Sequence, residues 1–141
     1  MEYQKYKSPS FMEAYKMAFV NFLNIEDRSR RSEYWKFATL SFLINILVII
    51  ISVVISDSNG SKFDSLLIIL CGAVVLVHSL AGLALAARRL HDVGRSAKWI
   101  ILAYIPVLGN IIGLVVLFWL FCDSNKDDNE WGASPKYYIE D

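Results

Sequence analysis

The sequence predicts an all-α, polytopic membrane protein, with three transmembrane helices behind an N-terminal amphipathic interfacial helix. Three observations lead there. Hydrophobic residues make up 55% of the 141-residue chain and gather into three long runs instead of amphipathic stripes. None of those runs contains Asp, Glu, Lys or Arg. The basic residues crowd into the segments flanking alternate runs, as membrane insertion requires.

The chain opens with a charged and aromatic lead, residues 1–36. Phe11, Ala14, Tyr15, Ala18, Phe19 and Phe22 recur there at helical spacing, with Glu13, Lys16 and Asn21 largely on the other side. Pro9 and Ser10 supply a helix start. At about 13 residues and about 1.5 Å each, this helix is too short to cross a bilayer. It either lies in the cytoplasmic headgroup layer, aromatic face down, or packs on the ends of the spans. A secretory signal would place its apolar stretch near the start, whereas the first long run begins only at Phe37.

The three spans follow in order. Phe37–Ile55 is interrupted only by Thr39, Ser41, Asn45 and Ser52. Leu66–Ala87 carries Cys71, His78 and Ser79, and Trp99–Phe121 carries Pro106 and Asn110. Pro106 reads as a kink, or at most a re-entrant bend, because two arms folded there are too short to cross. Ser56–Ser65 reads as a polar turn. The tail, Cys122–Asp141, holds six acidic residues and two lysines. Its Asp123, Asn125 and Asp127 open like a calcium loop, but Asp128 replaces the required Gly and Ser134 the closing Glu. A solvated acidic tail is expected, with no metal site. Two cysteines exclude a disulfide scaffold and a four-thiolate zinc site, and no bridge is expected between Cys71 and Cys122.

Orientation follows from Lys and Arg. The lead carries Lys5, Lys7, Lys16, Arg28, Arg30, Arg31 and Lys36, and the second connection Arg88, Arg89, Arg95 and Lys98. Against these eleven stand Lys62 in the first connection and Lys126 and Lys136 in the tail. Three crossings then put the N-terminus in the cytoplasm and the C-terminus outside.

Two segments meet at the cytoplasmic face under that topology. Arg28–Trp35 leads into the first span, and Arg88–Trp99 (R-R-L-H-D-V-G-R-S-A-K-W) joins the second to the third. They gather Arg28, Arg30, Arg31, Arg88, Arg89, His91, Arg95 and Lys98 near Glu33 and Asp92. Arginine offers a planar fork of donors for carboxylates or phosphates. Two readings stand. The basic residues fix topology while Glu33 and Asp92 staple helix ends, or the cluster binds an anionic lipid headgroup or a partner. A catalytic His91–Asp92 pair is not supported, because adjacent helical residues point about 100° apart.

The R-R-L-H-D-V-G-R-S string, placed between a span and W-I-I-L-A-Y-I-P-V-L-G, resembles a family of small bacterial inner-membrane proteins, domain-of-unknown-function family 805. S-R-R-S-E-Y-W before the first span and N-E-W-G-A-S-P at Asn129–Pro135 match as well. The resemblance covers nearly the whole chain from about Phe19. Ala97 stands where the family often has Gly, and Trp131 where it often has Tyr. The resemblance implies a bacterial inner-membrane location. It supplies no activity, cofactor or catalytic residue.

At membrane depth, Asn45, His78 and Asn110 lie within a helical turn of one level, so they can meet inside the bundle. They form either a hydrogen-bonded fastening of the bundle or a proton or ion pathway. The expected function is therefore a non-enzymatic interaction or regulatory protein binding anionic lipid or a membrane-protein partner. No cofactor and no nucleic-acid partner are expected. The alternative is a homo-oligomeric channel or small transporter using His78, Asn45 and Asn110.

Overall fold

The computed structural model describes residues 3–55 and 62–139. The elements run β1 (Tyr3–Lys5), α1 (Phe11–Val20), α2 (Arg31–Ile55), α3 (Lys62–Asp92), α4 (Lys98–Leu102), α5 (Leu108–Phe121) and β2 (Tyr137–Ile139). Of the expected polar turn, residues 56–61 lie outside the described residues, and α3 has begun by Lys62.

Helix α1 starts with a reciprocal cap. Ser10 Oγ accepts the Glu13 N–H at 3.1 Å, and the Glu13 carboxylate accepts the Ser10 N–H at 2.6 Å. Its Ala14 and Ala18 are buried, and Tyr15 and Phe19 pack on a core formed by Phe37, Ala81 and Leu85. Helix α1 thus packs on α2 and α3 through Tyr15, Ala18 and Phe19, while Phe11 and Phe22 stay exposed.

Helices α2 and α3 have the length and composition of membrane spans. At about 1.5 Å per residue, each exceeds the roughly 30 Å hydrocarbon thickness. Their outer faces expose Leu47, Ile50, Val53, Ile69 and Leu76, which suits lipid and not water. Beyond the expected spans, α2 begins at Arg31 and α3 continues through R-R-L-H-D to Asp92.

The third run differs from expectation. Trp99–Phe121 is not one span but two arms, α4 and α5, folded back on each other. The rings of Trp99 and Trp119 lie 5.1 Å apart, whereas twenty residues of straight helix would separate them by about 30 Å. Val107 takes a positive φ of 71°, a costly conformation for a β-branched residue, and breaks the helix just after Pro106. Gly109 permits the close return: a Cβ there would lie 2.2 Å from the Ala103 carbonyl oxygen. At 14 residues, α5 is about 21 Å long and too short to cross. The membrane domain is a pair of long helices with a re-entrant-shaped hairpin.

That fold moves the tail. β1 and β2 pair antiparallel, with Tyr3 opposite Ile139, Gln4 opposite Tyr138 and Lys5 opposite Tyr137. The tail therefore pairs with the lead, whereas the sequence reading set the two on opposite sides of the membrane, and the doubled-back third run brings both ends of the described chain together.

Candidate functional site at the junction of lead, helix ends and tail

Asp92 is the centre of this junction. It sits fully buried in the last position of α3, and a glycine turn follows at once. Arg95 N–H reaches back to the Leu90 carbonyl at 2.8 Å and Gly94 N–H to His91 at 3.0 Å, with Gly94 at φ 71°. One Asp92 oxygen accepts Arg28 Nε at 3.2 Å and Nη2 at 3.1 Å, and the other accepts Arg89 Nη1. All three side chains are buried. Arg28 in turn donates to the Asn125 and Gly132 carbonyls, both at 2.8 Å, and to Asp127 at 3.0 Å. A residue of the lead thus binds helix α3 and three points of the tail at once.

The C-terminal carbonyls of α5 are satisfied in the same way. Trp35 Nε1 donates to Leu120 and Arg31 Nη1 to Phe121, each at 3.1 Å, and Arg89 Nη2 donates to Cys122. Cations and an indole at these orphan acceptors also complement the negative end of the helix. Cys122 therefore belongs to the junction. Both cysteines are free.

His91 stacks flat on Trp131, with rings 4.4 Å apart and 6° from parallel. Its Nδ1 lies 3.2 Å from the Glu26 carbonyl, and Asn129 Nδ2 donates to its backbone oxygen at 2.9 Å. The ring packs between lead and tail. Glu33 accepts the Ser29 hydroxyl and makes no ion pair among the described residues. Arg30 holds the Lys7 and Tyr6 carbonyls at 2.7 and 3.0 Å. Arg88 is buried, with Nε and Nη2 lacking a partner among the described residues. Arg95 and Lys98 stay exposed, the former with its guanidinium 5.0 Å above the Trp119 ring.

The tail is folded, in contrast to the expected solvated segment. Asp123 binds Lys136 and accepts the Tyr137 hydroxyl at 3.1 Å, and Asp127 accepts the Tyr3 hydroxyl. Burial alone would raise the Asp123 pKa. The Lys136 ammonium, the Ser124 N–H and the Tyr137 hydroxyl outweigh that and hold it at about 2.

The three polar residues at membrane depth do not assemble. His78 Nε2 meets the Tyr15 hydroxyl at 2.9 Å and Nδ1 the Val74 carbonyl at 2.8 Å, so both ring nitrogens are engaged. Asn45 shares a groove with His78, and Asn110 is exposed at the start of α5. The straight third span assumed in aligning their depths does not exist. Burial raises the Tyr15 pKa, which keeps its hydroxyl protonated.

Sequence reasoning missed Tyr15, Asn125, Asn129, Trp131 and Lys136 as members of these sites. One signal was present: N-E-W-G-A-S-P is too specific a string for a merely solvated tail. The family model for proteins of unknown function DUF805 matches residues 22–133, which spans both arginine segments and the first five residues of that tail string. The chain belongs to the DUF805 family. It is 31% identical over 127 residues to the inner membrane protein YhaI of Escherichia coli K12, covering 89% of this chain and 98% of YhaI. To the inner membrane protein YhaH of the same strain it is 26% identical over 125 residues, with the same coverage of both chains. No solved structure matches. This DUF805 chain, with its two long apolar helices, fits the inner-membrane location of those relatives.

Proposed function

We propose that the chain is a non-enzymatic inner-membrane protein whose terminal junction faces the cytoplasm and engages anionic lipid. The observation that carries this reading is a division among the basic residues. Arg28 and Arg89 are closed into the Asp92 knot, while Arg31, Arg95 and Lys98 stay exposed at the same end. Trp99 and Trp119 lie beside them, as interfacial aromatics do. With the tail returned to the lead, thirteen of the fourteen Lys and Arg residues lie toward the junction, Lys62 alone standing apart. That bias favours a cytoplasmic junction. His91 and Asp92 are both held in packing and ion-pair roles, which supports a reading without catalysis.

The test uses nanodiscs of mixed zwitterionic and anionic lipid. Each exposed basic residue near the surface contributes about 1 kcal/mol of attraction to anionic lipid. Arg95→Gln/Lys98→Gln should therefore lower anionic-lipid enrichment about tenfold or more, and added salt should narrow the difference from wild type. Equal enrichment in wild type and the double variant would refute the reading.

A further inference from the structure

A second basic site lies apart from the Asp92 knot. A cavity of 180 Å³ opens where the lead, the start of α2 and the tail converge, lined by Ser8, Arg30, Arg31, Ser32, Asp123 and Lys136. At about 30 Å³ per water-sized group, it has room for one tetrahedral anion with several waters. Its charge is unbalanced. Lys136 neutralises Asp123, which leaves two guanidiniums without a carboxylate in the cavity.

Two donors there are unmet. Arg30 is only 7% exposed, and its Nε is buried with no hydrogen-bond partner among the described residues. The other two nitrogens of that guanidinium grip the Tyr6 and Lys7 carbonyls, so the group is held rigidly and cannot turn to find a partner. Ser32 Oγ is likewise buried without a partner among the described residues. Orphaned buried donors are costly, about 1–3 kcal/mol each. Beside them lies the positive end of a 25-residue helix. Glu33 and Tyr34 are the first amides of α2 to reach the Arg30 carbonyl, at 3.1 and 3.4 Å. The amides of Arg31 and Ser32 precede them and have no intrahelical acceptor.

We propose that this cavity binds a single phosphate group, held by Arg30, Arg31 and Ser32 at the start of α2, with Lys136 closing it from the tail. The same chemistry is offered by a phosphatidylglycerol headgroup and by free inorganic phosphate. Because Ser8, α2 and Lys136 come from three parts of the chain, an occupant also fastens the tail to the lead. The inference rests on the anionic-lipid reading above, and sharpens it from a charged rim to one stoichiometric site.

The test reconstitutes the full chain in phosphatidylcholine nanodiscs and adds either inorganic phosphate or phosphatidylglycerol. Native mass spectrometry counts the bound species. Saturation at one phosphate per chain supports the site with a free anion as occupant. Saturation at one phosphatidylglycerol, without phosphate binding, supports it with a lipid occupant. Arg30→Gln and Arg31→Gln/Ser32→Ala should each weaken binding about tenfold or more. The second variant spares the Arg30 grip on the lead, so it reports binding even if the first disturbs folding. Bound tail should resist protease longer in wild type and not in the variants. No saturable binding of either species, or a folded double variant that binds as wild type does, overturns the site. If Arg95→Gln/Lys98→Gln still lowers general enrichment in that event, only the site falls and the rim reading stands.

Discussion

The paired helices α2 and α3 and the terminal junction solve the same problem in opposite ways. Within the helix pair, apolar side chains face lipid and the fold asks only for length and composition. At the junction, buried charges meet specific acceptors, most of them backbone carbonyls of the tail. Lipid accepts any apolar side chain of similar shape, whereas a buried guanidinium accepts only a few geometries. Sequence specificity in this molecule is therefore concentrated at the junction.

The largest effect is expected from Asp92→Ala. It leaves two buried guanidiniums without their carboxylate, a loss of about 3–5 kcal/mol. Ile50→Leu on the lipid-exposed face should change stability by less than about 0.5 kcal/mol. Thermal unfolding in one detergent measures both, and equal effects would remove the distinction. Next comes Gly109→Ala. Its methyl group must displace the Ala103 carbonyl, costing about 1–3 kcal/mol and opening the hairpin. Loss of contact between Trp99 and Trp119, read by fluorescence, would report it. A smaller effect is expected from Tyr15→Phe, about 1 kcal/mol, through lost bonding to His78 and earlier release of α1 to hydrogen exchange.

The smallest effect is pH-dependent. Asp123 is held at about 2, below its ordinary 3.8, so its contribution to tail docking is full above the ordinary value and disappears as pH falls through the folded one. Its carboxylate is half exposed, which keeps the effect modest. Spin labels on lead and tail should separate as pH falls from about 5 to about 2, and Asp123→Asn should flatten that part of the profile. An unchanged profile in the variant would assign the transition to other carboxylates.

Much of this fold was legible in the sequence. Charge-free runs marked α2 and α3, and Pro9 and Ser10 marked the start of α1. The gathering of arginines around Asp92 was also readable, because R-R-L-H-D and S-R-R-S flank spans. Pro106 signalled a break, yet the hairpin depends on Gly109 meeting the Ala103 carbonyl, a tertiary contact with no local pattern. The orientation count took each apolar run as a crossing, whereas α4 and α5 fold back on each other. Pairing of Tyr3 with Ile139 is a contact across the length of the chain. The acceptors that bind Arg28 are mostly backbone oxygens, and every residue carries one. Hence the junction's donors were visible and its acceptors were not.

The proposed junction requires lead and tail to share the cytoplasmic face. Single cysteines at Gln4→Cys and Tyr138→Cys, with Cys71 and Cys122 replaced by Ala, can be probed with a membrane-impermeant maleimide in sealed spheroplasts. Both positions should stay unlabelled until the membrane is opened, and both should then react. Labelling of the Tyr138 position in sealed spheroplasts, with the Gln4 position protected, would put the tail across the membrane and contradict the junction.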